Sequence, residues 1–240
     1  MRKVLDLEME RKKMSEKSTK QFDVQVNNNF VAWLDEKAKK SYQTNFTPRD
    51  AAALATEILD KARKEFGYND ESATPIVKIV NAFGIAAYTA NNLSDDISGT
   101  IYANGTTKEC YQNNVVIFTN MNEPYRHQRF VLAHELGHYI FDCRFNPQYK
   151  DQRKVFKKNY PHNEHSSIME NRANRFAAEL LMPKKLFVEQ YNQYVNRIKK
   201  YNLDSIHSKE AVICYLADFF DVKIESIERR IQEVLYDGGY

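Results

Sequence analysis

At 240 residues, 42% of them hydrophobic and 28% charged, the chain has the composition of a globular protein long enough to bury a core without disulfide staples. A net charge of +3 is too weak to point to nucleic acid, and the sequence holds no run of about 18 apolar residues that could span a membrane. Three widely spaced cysteines (Cys110, Cys143, Cys214) and an N-terminus without an apolar secretory segment fit a cytoplasmic protein better than a disulfide-bonded one.

Residues 1–20 carry seven Lys/Arg and four Asp/Glu with little helical periodicity, and residues 1–26 read as a flexible, charged lead. A first helix follows, with Phe30, Trp33, Leu34 and Ala38 on one face. Thr47 and Pro48 open a stronger one, with an apolar stripe from Ala51 to Phe66 and Gly67 as its stop. Thr74-Pro75 repeats the start signal before a short helix that Gly84 ends. The runs IAAYTA, ISGTIYA and NVVIFTN, separated by Asn, Asp and Gly clusters, read as three strands of a small sheet. Helices return near Glu123 and continue to the C-terminus.

The chemistry lies in FVLAHELGHYIF. Residues four apart share a helical face, so His134 and His138 project side by side and can hold one zinc ion. Glu135 is then placed to take a proton from the attacking water, whose pKa zinc lowers to roughly 7. Apolar residues surround these three polar ones on both sides of the helix, where unpartnered polar groups are costly. Gly137, on the histidine face, leaves room for another element.

Two histidines leave a catalytic zinc one protein ligand short. A HExxHxxGxxH spacing would put a third histidine at 144, but that residue is Arg144. The downstream candidates are Asp142, His162, Glu164, His165, Glu170 and Glu179. Glu170 stands at the head of the core-facing stripe of the helix SIMENRANRFAAELLMP, which favours it. Ser167-Ile-Met-Glu170 also fits a capping box, however, in which the glutamate would serve only the helix end. Glu179, nine residues on, falls about 180° around the helix.

HELGH, followed 32 residues after its last histidine by ENRANRFAAELLMP, resembles the ImmA/IrrE family of zinc metallopeptidases, as do DDISGTIY, VVIFTN and RFVLAHELGHY. The resemblance is strong over 75–185 and faint over 205–235. It implies one Zn2+ bound by His134, His138 and Glu170, with Glu135 as catalytic acid and base. Asn174, matching the family's asparagine, is expected either to support a ligand or to be a polar residue at a helix contact. The implied fold is α+β and zincin-like, a small twisted sheet packed against the HExxH helix with further helices before and after. The chain then divides into the lead at 1–26, N-terminal helices at 27–70, a metallopeptidase core at 71–200 and a C-terminal helical extension at 201–240. The implied activity is cleavage of a specific protein substrate, a DNA-binding repressor of a mobile element or stress response.

Two other readings stand beside this one. A regulatory binding protein of the same fold could act by sequestering a partner, though an intact Glu135 argues against it. A DNA-binding regulator could use LADFFDVKIESIERRI as a helix-turn-helix. Residues 208–240 hold four Lys/Arg against seven Asp/Glu, so direct contact with nucleic acid is not expected there, nor is contact with a membrane. His162 and His165 form an alternative ligand pair within a polar stretch. The segment 142–165 has six Lys/Arg against three Asp/Glu and reads either as a basic flap beside the cleft that helps select substrate or as a solvated insertion with no role.

Overall fold

The structure is a computed structural model that describes residues 26–69, 72–103, 115–145, 153–157, 164–200 and 205–236. The charged lead up to residue 25 and the pair member His162 lie outside the described residues, and so does most of the connection proposed as a flap.

Helix α1 (Asn28–Thr44) starts where the Asn27 side chain accepts from the Phe30 amide, and it ends at Asn45 in the left-handed region, φ 49°. Helix α2 (Pro48–Phe66) carries the expected cap, completed by Asp50, whose carboxylate accepts from the Thr47 amide at 2.9 Å. Gly67, at φ 63°, closes it as expected. Thr74 behaves differently from its sequence reading. No side chain caps α3 (Ile76–Ala82). The Thr74 hydroxyl donates instead to the Leu180 carbonyl at 2.9 Å, and the Thr74 carbonyl accepts from Arg129. A buried hydroxyl with a tertiary acceptor in reach outcompetes a local cap.

The three expected strands form as β1 (Ala86–Ala90), β2 (Ile97–Ala103) and β3 (Val115–Asn120). A fourth, β4 (Arg153–Lys157), was not expected. It lies inside the stretch read as a flap, so that stretch is not structureless throughout. Its sequence RKVFK lacks the clear alternation that marked the other three. The sheet order is β1-β3-β2-β4, with β1 parallel to β3 and the other pairings antiparallel. Strand β3 is buried along its whole length, as its unbroken run VVIFT suggests for an inner strand.

The two faces of the sheet follow the period-two rule. Val115 and Ile117 join Ile101 in the main core beneath the helices. Val116 and Phe118 turn the other way, into a smaller cluster with Ala86, Ala90 and Leu93. Helix α4 (Tyr125–His138) packs across β2 and β3 and continues through a π-helical turn, Tyr139–Cys143. Helix α5 (Glu164–Leu181) lies against both α2 and α4. Helices α6 (Lys184–Lys200), α7 (Ser205–Phe220) and α8 (Ile224–Ile231) complete the helical layer, burying Leu216, Phe220, Val222 and Ile227. The architecture is α+β. Among the described residues, no helix is long and apolar enough to cross a membrane.

Candidate metal centre

Every residue of α4 from Val131 to His138 is buried, and the burial continues through Cys143. A helix apolar on all sides has no solvent face on which to place polar groups, so its histidines and glutamate need internal partners. Glycine sets the closest of those neighbours. A Cβ at Gly137 would stand 3.2 Å from a Phe176 ring carbon and 3.3 Å from the Ala173 Cα, so α4 and α5 touch there through nearly bare backbone. That approach brings Glu170 of α5 to the histidine pair.

His134 and His138 face each other with Nε2 atoms 2.9 Å apart. The Glu170 carboxylate spans both, one oxygen 3.2 Å from His134 Nε2 and the other 3.2 Å from His138 Nε2. The outer nitrogens have separate partners. His134 Nδ1 donates to the Asn174 amide oxygen at 2.9 Å, and His138 Nδ1 donates to Asp142 Oδ2 at 2.6 Å. With each ring proton held at Nδ1, the Nε2 lone pairs of two neutral imidazoles and the oxygens of a carboxylate converge on one point. Such a convergence is repulsive unless a cation sits within it. Two imidazoles and one carboxylate suit zinc, which takes nitrogen at about 2.0–2.1 Å and leaves a fourth position open in catalytic sites. The donor chemistry therefore fits a metal ion of that kind, and the three donors are mutually close enough to share one.

The electrostatics agree. Burial, opposed by the neighbouring Glu170 carboxylate, lowers the His134 pKa to about 4, which keeps the imidazole neutral at pH 7 and ready to donate a lone pair. At Glu170 burial acts to raise the pKa, but the two imidazoles beside it outweigh that and hold the carboxyl well below the usual range.

Glu135, one residue past His134, is 1% exposed and turns toward β2. Gly99 makes room for it. A Cβ at Gly99 would overlap Val131 Cγ1 and come within 3.7 Å of Glu135 Cγ. Strand β2 thus runs directly over the helix face carrying the glutamate.

Several sequence readings change here. Glu170 does not open its helix, because α5 begins six residues earlier, at Glu164. Ser167 is therefore inside the helix and the capping-box alternative does not apply. Glu179 faces away, as its angle required. It caps the start of α6, accepting from the Lys184 amide at 2.9 Å, and pairs with Arg230. Asn174 lies one turn after Glu170 and meets His134 Nδ1 at 2.9 Å. Asp142, weighed in the sequence as a metal ligand, instead holds the far side of His138, and its second oxygen meets the Arg172 guanidinium. The signal for it was present: Asp142 is four residues after His138 and stays on the same face because the helix does not end there. Arg172 gave no sequence signal, since only tertiary packing brings it to Asp142. The side chains of Glu164 and His165 are outside the described ones.

The family described as the IrrE N-terminal-like domain matches residues 95–232, more than half of the chain and all of the residues just named at the centre. The metallopeptidase ImmA of Bacillus subtilis (strain 168) is 30% identical over 113 residues, which are 47% of this chain and 59% of that protein. A Mycobacterium tuberculosis transcriptional regulator superposes with a TM-score of 0.44 at 16% identity, over 83% of this chain and 51% of that one. The chain thus spans less than two thirds of the length of either relative.

Proposed function

The chain belongs to the family of the IrrE N-terminal-like domain, and from that premise we propose that it is a zinc-dependent endopeptidase acting on one protein substrate, a DNA-binding repressor of a mobile element or stress response. The observation that carries the reading is the convergence of His134 Nε2, His138 Nε2 and the Glu170 carboxylate, with both Nδ1 protons engaged elsewhere. A cation between these three donors would offset the repulsion of their lone pairs.

His134, His138 and Glu170 hold the metal, and Asn174 and Asp142 fix the ring planes that aim the two imidazoles. A zinc ion held there would supply Lewis acidity for a bound water and for the scissile carbonyl at neutral pH. Glu135 takes a proton from that water onto a carboxylate oxygen and returns it to the departing amine nitrogen. Its burial beneath β2 keeps bulk water from competing for that proton. The repressor as substrate rests on the family resemblance alone.

The test is co-expression of the chain with repressors encoded beside its gene, in wild-type and Glu135→Gln forms. The wild type should yield a cut repressor. The Gln form should yield none while retaining its metal, because the three ligands are untouched. Cleavage by the Gln form at a near wild-type rate would remove Glu135 from the chemistry.

A further inference from the structure

Below the metal centre, α4 and α5 run on together, and the seam between them opens into a cavity of about 580 Å³. His127 and Phe130 line it from α4, on the same face as His134 and about two turns and one turn before it. Asn174 and Ala178 line it from α5, on the face that begins with Glu170, and Met182 just past the helix end adds to it. Asn174 is thus shared: its oxygen holds His134 Nδ1, and it also lines the cavity. Lys223, helix α8 and Glu233 just after it contribute the remaining wall.

The walls are not balanced in charge. Arg175, Lys223, Arg229 and Arg230 line the cavity against two carboxylates, Glu225 and Glu233. Arg230 is fully committed: it donates to the Met182 carbonyl and pairs with Glu179 and Glu233. Arg175 shares Glu233 with it, so one carboxylate serves two guanidinium groups. Lys223 and Arg229 then face a single exposed carboxylate, Glu225. Burial, and secondarily the like charge of Arg230, pulls the Arg175 pKa below the ordinary arginine value, while the Glu179 carboxylate acts the other way. The floor is apolar, from Phe130, Ala178 and Met182.

We propose that this cavity is the subsite that selects the substrate beside the cut, and that it takes a short stretch of chain carrying a carboxylate, with its methylenes on Phe130 and Met182 and its charge at Arg175, Lys223 and Arg229. The volume exceeds that of one side chain, which is why a short stretch and not a single residue fits. The inference rests on the peptidase reading above, because only that reading makes the adjoining centre the place of cutting.

The test uses the full chain loaded with zinc and two series of tripeptide hydroxamates, one extending to each side of the metal-binding group. Within a series the members differ only in carrying Glu, Gln or Lys, and binding is measured by calorimetry. In one series the Glu compound should bind about tenfold tighter than its Gln isostere, with Lys weakest. In Lys223→Glu/Arg229→Glu the order should reverse while zinc content stays the same. Neither residue is one of the three donors, Arg229 is exposed and Lys223 half-buried, so the fold should survive. Equal binding of Glu, Gln and Lys compounds in both series overturns the subsite and leaves the metal centre standing. Failure of every hydroxamate to bind zinc-loaded protein overturns the peptidase reading, and the subsite with it.

Discussion

Replacing Asp142 by Asn tests whether His138 is held for a metal or is merely buried. In the wild type one Asp142 oxygen accepts from His138 Nδ1 at 2.6 Å and the other meets Arg172. Both side chains are nearly enclosed, 3% and 10% exposed, so solvent screens the pair little. Asn keeps the shape and removes the charge. Loss of a carboxylate behind a metal-binding imidazole typically weakens metal affinity about 10–100-fold, or about 1.4–2.7 kcal/mol. The same change leaves the Arg172 cation without its counter-charge, and breaking a buried pair this way costs about 3–5 kcal/mol. Arg172 still donates to the Phe46 carbonyl and lies over the Phe141 ring, which puts the cost near the lower end. The two effects separate in a second variant, Asp142→Asn/Arg172→Met. Without the orphaned cation, stability should recover, whereas zinc affinity should stay low. Zinc affinity is read by competition with a chromophoric chelator, and stability by urea unfolding of metal-free protein. Zinc affinity for Asp142→Asn within about twofold of wild type would refute the orienting role.

Glu170→Gln should weaken zinc binding with little change in helix stability, since no helix cap is lost; chelator competition and thermal unfolding together read this. Gly99→Ala should destabilise the protein by about 1–3 kcal/mol, because the new methyl overlaps Val131 where β2 crosses α4, and urea unfolding measures it. Metal-free protein should lose stability as pH falls from about 6.5 toward 4. His134 titrates near 4 when folded against 6.5 otherwise, so the unfolded chain binds the proton first in that window. A midpoint of unfolding that is flat across this range would contradict the buried, neutral assignment.

The parts of the site that lie on single helices were legible in the sequence. His134, Glu135 and His138 declare themselves through four-residue spacing on one helix; the stripe behind Glu170 left a ligand and a capping box both open, and the family resemblance was what pointed to a ligand. What packs behind them was harder to read. Asp142 looked like another ligand because its place on the α4 face depends on the helix continuing through a π turn, which no cap or breaker announces. Arg172 reaches Asp142 only because Gly137 and Ala173 let two helices meet closely, a tertiary fact. Thr74-Pro75 carried the right chemistry for a cap, but the Leu180 carbonyl captured the hydroxyl. Strand β4 was missed because an edge strand buries little and need not alternate.

The most direct measurement is the metal content of the chain purified without chelator and then supplied with zinc, compared with the His134→Ala/His138→Ala variant. The donor set predicts about one zinc per wild-type chain and loss of nearly all of it in the double variant. Under about a tenth of an equivalent in the wild type, or equal content in both proteins, would contradict a metal held by His134, His138 and Glu170.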